Sequence, residues 1–78
     1  MHSYIPRPGA EWSVEFEYPW GPEDKFGRGE WKARYNACYP LEEAIKSLRL
    51  ALRHESVYNW RLRNVLTEET IPAEAFGL

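Results

Sequence analysis

The sequence predicts a single α+β domain: a four-stranded antiparallel sheet, in the element order β-β-α-β-β, with one helix packed on one face. Three observations carry this. Two stretches alternate apolar and polar residues before residue 36. One amphipathic stretch of helical period follows at 40–53. A third alternating stretch and a short apolar segment come after it.

The stretch "WSVEFEY", residues 12–18, sets Trp12, Val14, Phe16 and Tyr18 on one side and Ser13, Glu15 and Glu17 on the other. That is the period of a strand with one buried face, and Pro19 ends it. Residues 19–29 hold three glycines and two prolines and read as a long loop. "EWKARY", residues 30–35, alternates again, with Trp31, Ala33 and Tyr35 expected inward and Glu30, Lys32 and Arg34 outward. The two strands are expected to pair as a hairpin with an extended connection.

In "PLEEAIKSLRLALR", residues 40–53, the period changes to that of a helix. Leu41, Ala44, Ile45, Leu48 and Leu52 share one stripe. Pro40 suits a helix start, Glu42 and Glu43 the positive N-terminal end, and Arg49 and Arg53 the negative C-terminal end. Ile45 and Leu48 are expected to pack on Trp31 and Trp60.

The stretch from Tyr58 to about Leu66 is the third strand, with Tyr58, Trp60 and Leu62 facing one way and Asn59, Arg61 and Arg63 the other. "TEE" is a turn, "TIP" a short final strand, and "AEAFGL" one helical turn with Phe76 inward. A right-handed crossover through the helix brings the third strand beside the first, so the expected spatial order is 2-1-3-4. Residues 1–11 are expected to form an extended arm and residues 12–78 the domain.

A chain of 78 residues has little interior. Four Trp, five Tyr and three Phe supply the bulk, each removing roughly 150–250 Å² from water when buried. The one cysteine, Cys38, allows no disulfide within the chain. No signal-peptide pattern and no run of about 18 apolar residues is present, so a soluble, cytoplasmic protein without a membrane span is expected.

The net charge of −2 is uneven: residues 30–66 carry seven basic and four acidic groups, and residues 67–78 three acidic and no basic ones. Lys32, Arg34, Arg61 and Arg63 are the candidate residues for nucleic-acid binding on the open sheet face. Glu15 and Glu17 lie between them in the expected order, so a solvated ladder of opposite charges is the favoured reading. Acidic groups in the middle of the sheet oppose phosphate binding.

Little points to catalysis, and a non-enzymatic protein is expected. His2 lies at the terminus, and His54 suits the dipole of a helix end. Cys38 has no histidine near it in sequence. The two histidines and one cysteine form no metal-ligand spacing, and no glycine-rich phosphate cradle is present. No metal and no cofactor are expected. The loop at 19–29 offers more. Trp20 and Phe26 flank Glu23 and Asp24, and aromatic anchors rimmed by charge resemble interface hot spots. Those four are the candidate partner-binding residues; the alternative is that both rings cap the core. Leu50 falls opposite the helix stripe and is a weaker sign of an interface.

The tail "RLRNVLTEETIP", with the "PLEEAIK" helix and an aromatic hairpin before it, resembles small phage and prophage accessory proteins over about residues 30–72. It departs at Glu68, where such turns carry glycine, the residue that takes φ > 0 at least cost. Some proteins of this general look are anti-CRISPR proteins. The resemblance implies an inhibitor that covers a host protein or nucleoprotein complex inside a bacterium. Two further readings stay open: a small nucleic-acid-binding regulator, and a subunit that dimerises or self-associates through a sheet edge.

Overall fold

The computed structural model describes residues 9–20 and 28–78. Among these, four strands form one antiparallel sheet: β1, Trp12–Glu17; β2, Lys32–Ala33; β3, Asn59–Asn64; and β4, Thr70–Pro72. A helix, α1, spans Leu41–His54, and a 3-10 turn covers Ala73–Phe76. The spatial order is β2-β1-β3-β4, as the crossover argument predicts.

The core lies between α1 and one face of β1 and β3. Val14 stands opposite Leu62, and Phe16 opposite Trp60. Ala44, Leu48 and Ala51 of the helix close over them. Two of these three helix residues are alanines, which bring the helix backbone close to the sheet, and Leu48 fills the centre. Ile45 and Leu52 pack at the margin, whereas Leu41 remains exposed. Phe76, in the 3-10 turn, packs against the core as expected.

Pro40 is the residue before the helix rather than its first turn, and its carbonyl accepts the first helical bond, from Ala44 at 2.8 Å. Glu42 and Glu43 sit in the first turn and Arg53 and His54 in the last, the arrangement the helix dipole favours.

Strand β2 departs from expectation. It has two residues instead of six, and Ala33 pairs with Glu15 while Lys32 pairs with Phe16. Partners directly opposite share a face. Lys32 therefore lies on the helix side, and Trp31 and Ala33 turn to the other face. Trp31 does not meet the helix; its ring lies 4.2 Å from the Arg61 guanidinium carbon. The short strand is the reason. The chain bends over 34–37 before Tyr39 bridges back to Trp12, so no long ladder fixes the alternation. The bend also brings Tyr35 against the core after all.

The β3–β4 hairpin turns at Asn64. Its side-chain oxygen accepts from the N–H groups of Leu66 and Thr67 at 2.9 and 3.0 Å, and its amide donates to Glu11 at 3.2 Å. Glu68 closes the turn with φ 63°. The left-handed geometry that suits glycine is thus kept although the residue is glutamate.

Candidate interaction surface

The four basic residues first considered for nucleic-acid binding do not form one patch. Arg61 and Arg63 face away from the helix and grip one carboxylate. Arg61 Nε donates to Glu15 Oε1 at 2.9 Å, and Arg63 Nε to Glu15 Oε2 at 2.8 Å. The Glu15 side chain is only 6% exposed beneath them. Its hydrogen bond, against the cost of burial, raises Arg63 above the ordinary guanidinium value. Glu15 thus receives the two cations expected to be shared along a ladder. Glu17 has other partners: the Gly29 N–H and the Asn59 amide, the latter at 2.9 Å.

Lys32 and Arg34 lie at the opposite side of the β2 edge. Lys32 sits 5.6 Å from the Tyr18 ring centre and 3.9 Å from a Glu30 oxygen. Arg34 Nε donates to Glu55 Oε1 at 2.7 Å, a bond that holds its guanidinium above the ordinary value. The split follows directly from the register of β2.

A more coherent surface forms at the end of the sheet that α1 leaves uncovered. Phe16, partly buried, packs against the core near the end of β1, and the chain continues through Tyr18 to Trp20. On β3 the matching residues are Trp60 and Tyr58. Trp60 is buried and donates its indole N–H to the Glu55 carbonyl at 2.8 Å, which fixes it as a floor. Phe16 lies 5.4 Å from Trp60 and 5.3 Å from Tyr58. Tyr58 in turn lies 5.0 Å from Tyr18, edge to face, and 5.9 Å from Trp20. Such pairs add roughly 0.5–1.5 kcal/mol beyond their area. Beside them opens a cleft of about 380 Å³ lined by Phe16, Tyr18, Ala33, Arg34, Glu55 and Tyr58.

Of the residues expected to bind a partner, Trp20 is 51% exposed at the rim of this trough. Glu23, Asp24 and Phe26 lie outside the described residues. Tyr18 and Tyr58 were not singled out as surface residues by the sequence reasoning. A signal was present: the i, i+2 aromatic spacing of Phe16, Tyr18 and Trp20 runs past the proline that ends the strand. Leu50 is exposed at 51%, on the outer helix side.

Burial raises the Cys38 thiol, with Glu15 adding to the shift and Arg63 opposing it. Among the described residues no group of three or more His, Cys, Asp or Glu side chains is placed to hold a metal ion. Nor is any described helix long and apolar enough to cross a membrane. Comparison with protein-family models, curated proteins and solved structures gives no match.

Proposed function

We propose that this chain is a non-enzymatic protein-binding module that docks through the aromatic trough of Tyr18, Trp20 and Tyr58. The supporting observation is Trp20. Its indole is half exposed, yet it is braced by ring contacts to Tyr18 at 5.7 Å and Tyr58 at 5.9 Å. A braced ring loses little side-chain entropy on binding, which is how aromatic anchors act at interfaces. The arginines of the other face argue in the same direction. Both are committed to Glu15, so they offer phosphates little.

The resemblance to phage accessory proteins suggests the partner: a host defence protein or nucleoprotein complex in the bacterial cytoplasm, which the module inhibits by covering a working surface. Glu23 and Asp24, close to Trp20 in sequence, suit a target with an apolar pocket beside basic residues. The test is affinity capture from bacterial lysate with the wild type and with Trp20→Ala, Tyr58→Ala and Arg61→Ala/Arg63→Ala. The reading requires a nuclease-resistant partner that the trough variants lose and the arginine variant keeps. Capture that nuclease abolishes would favour the nucleic-acid regulator. A mass that grows with concentration would favour the self-associating subunit.

A further inference from the structure

We propose that the outer face of α1 pairs antiparallel with the same face of a second copy, so that the chain forms a twofold dimer. This face shares no residue with the trough and stands independently of the protein-binding reading. Four of its residues point away from the sheet. At about 100° per residue, Glu43, Lys46, Leu50 and Arg53 fall within about 40° of the direction opposite Leu48. All four are exposed, Leu50 to 51% in the middle of the row. Steps of three, four and three residues make a straight seam of the kind along which helices pair. The seam runs about 15 Å along the axis.

Charge selects the occupant. Glu42 and Glu43 lie in the first turn, and Lys46, Arg49 and Arg53 follow. Among the described residues none of these five side chains forms an ion pair or a hydrogen bond, not even Glu42 with Lys46 one turn away. By contrast, Lys32, Arg34, Arg61 and Arg63 of the sheet each lie within 3.9 Å of a carboxylate oxygen. The helix thus carries unmatched charges of both signs, segregated along its axis. Such segregation suits the dipole of a single helix. Beside an antiparallel copy it also makes the face complementary to itself.

A twofold axis between Lys46 and Leu50 sets Glu43 opposite Arg53 of the second copy, and does so twice. It also lays Leu50 on the aliphatic stem of Lys46 of the second copy. A parallel copy would set Glu43 against Glu43 and Arg53 against Arg53. A nucleic acid would bring phosphates against Glu42 and Glu43. The contact is small, and exposed ion pairs contribute little, so the dimer is reversible and forms at chain concentrations on the order of 0.1–1 mM.

The experiment is sedimentation equilibrium of the full chain up to about 1 mM. The mass should rise from 9.2 kDa towards twice that value and stop there. Glu43→Arg and Arg53→Glu each set like charges opposite one another, and each should weaken association by about tenfold. An equimolar mixture of these two variants restores both ion pairs, as does Glu43→Arg/Arg53→Glu in one chain. Both should regain the wild-type mass. Circular dichroism establishes that each variant is folded. Should Arg53→Glu unfold, Glu43→Arg and Leu50→Lys decide the matter, the latter by setting Lys46 of the second copy against a like charge. The proposal is overturned by a mass that stays at 9.2 kDa at about 1 mM, or by wild-type association in Glu43→Arg. It is also overturned by a mixture of the two folded variants that remains monomeric. Growth beyond two copies that ignores these substitutions overturns it in favour of a sheet edge. Its failure leaves the protein-binding reading standing, because the mass is measured with no partner present.

Discussion

The indole N–H of Trp60 donates to the backbone carbonyl of Glu55 at 2.8 Å, while the Glu55 carboxylate accepts from Arg34 at 2.7 Å. Glu55 is the residue after the helix, and its own N–H returns to Ala51. One residue therefore ties the end of α1 to β3 and to the chain leaving β2. It also sets the wall of the trough, since Arg34, Glu55 and Tyr58 line the same cleft. Trp60→Phe keeps a ring but removes the donor. A loss of about 0.5–1.5 kcal/mol is expected in a urea melt, from the lost indole bond, because the Glu55 carbonyl keeps the Tyr58 N–H at 3.3 Å. A change below about half a kcal/mol would mean that water replaces the bond without cost.

Leu48 is fully buried between the helix and Val14 and Leu62. Leu48→Ala is expected to cost about 2–5 kcal/mol as a cavity substitution. Leu50→Ala, on the exposed outer side, should stay within about half a kcal/mol. Equal effects of the two in chemical denaturation would show that the helix is rotated from this orientation.

The Glu15 cluster calls for a different expectation than a surface ladder, for which removing both arginines would matter little. Here Arg63→Ala leaves Glu15 with Arg61, and Arg61→Ala leaves it with Arg63. Removing both leaves a carboxylate of 6% exposure unpaired. The double change should cost about 2 kcal/mol, less than the roughly 3–5 kcal/mol of a sealed pair because the arginines are themselves part of the cover. It should exceed the sum of the two single changes in a double-mutant cycle. Strict additivity would reduce the cluster to independent surface pairs.

Glu68 holds φ 63°, a region that costs an ordinary residue about 1–2 kcal/mol. Among the described residues no side-chain hydrogen bond of Glu68 compensates at this exposed position. Glu68→Gly should therefore be neutral or stabilising by up to about 1 kcal/mol, after the greater entropy of glycine in the unfolded chain is deducted. A lower melting temperature for Glu68→Gly would assign the carboxylate a role in the hairpin.

Burial raises the Cys38 thiol, so the folded protein resists its ionisation. The sign follows from linkage. For a group raised on folding, the stabilisation is complete below the unfolded value, about 8.5, and is lost as pH rises through the folded value. Stability should thus fall on the alkaline side, and Cys38→Ser should flatten that fall. Alkylation by iodoacetamide at pH 8 should be slower in native protein than in urea. Equal rates would place the thiol in contact with solvent.

Much of the fold was determined by the sequence alone. The alternation in residues 12–17 and 59–64 settles both central strands because each has a face buried by the helix, and a slip of one residue would expose Val14 and Leu62 together. The helix stripe and the strand order follow from periodicity and the handedness of the crossover. The face of β2 was decided only by tertiary structure. A two-residue edge strand, followed by a bend, has too few ladder bonds for its own alternation to choose a side. Lys32 and Trp31 therefore exchange the faces their spacing suggests. The site inherits that decision. With Trp31 over Arg61 and Lys32 over Tyr18, the cations divide between the two faces, and the aromatic trough is left with a rim of paired charges. Local sequence carries a residue's period, but which neighbour it meets across a short edge strand is set by the packing of the whole sheet.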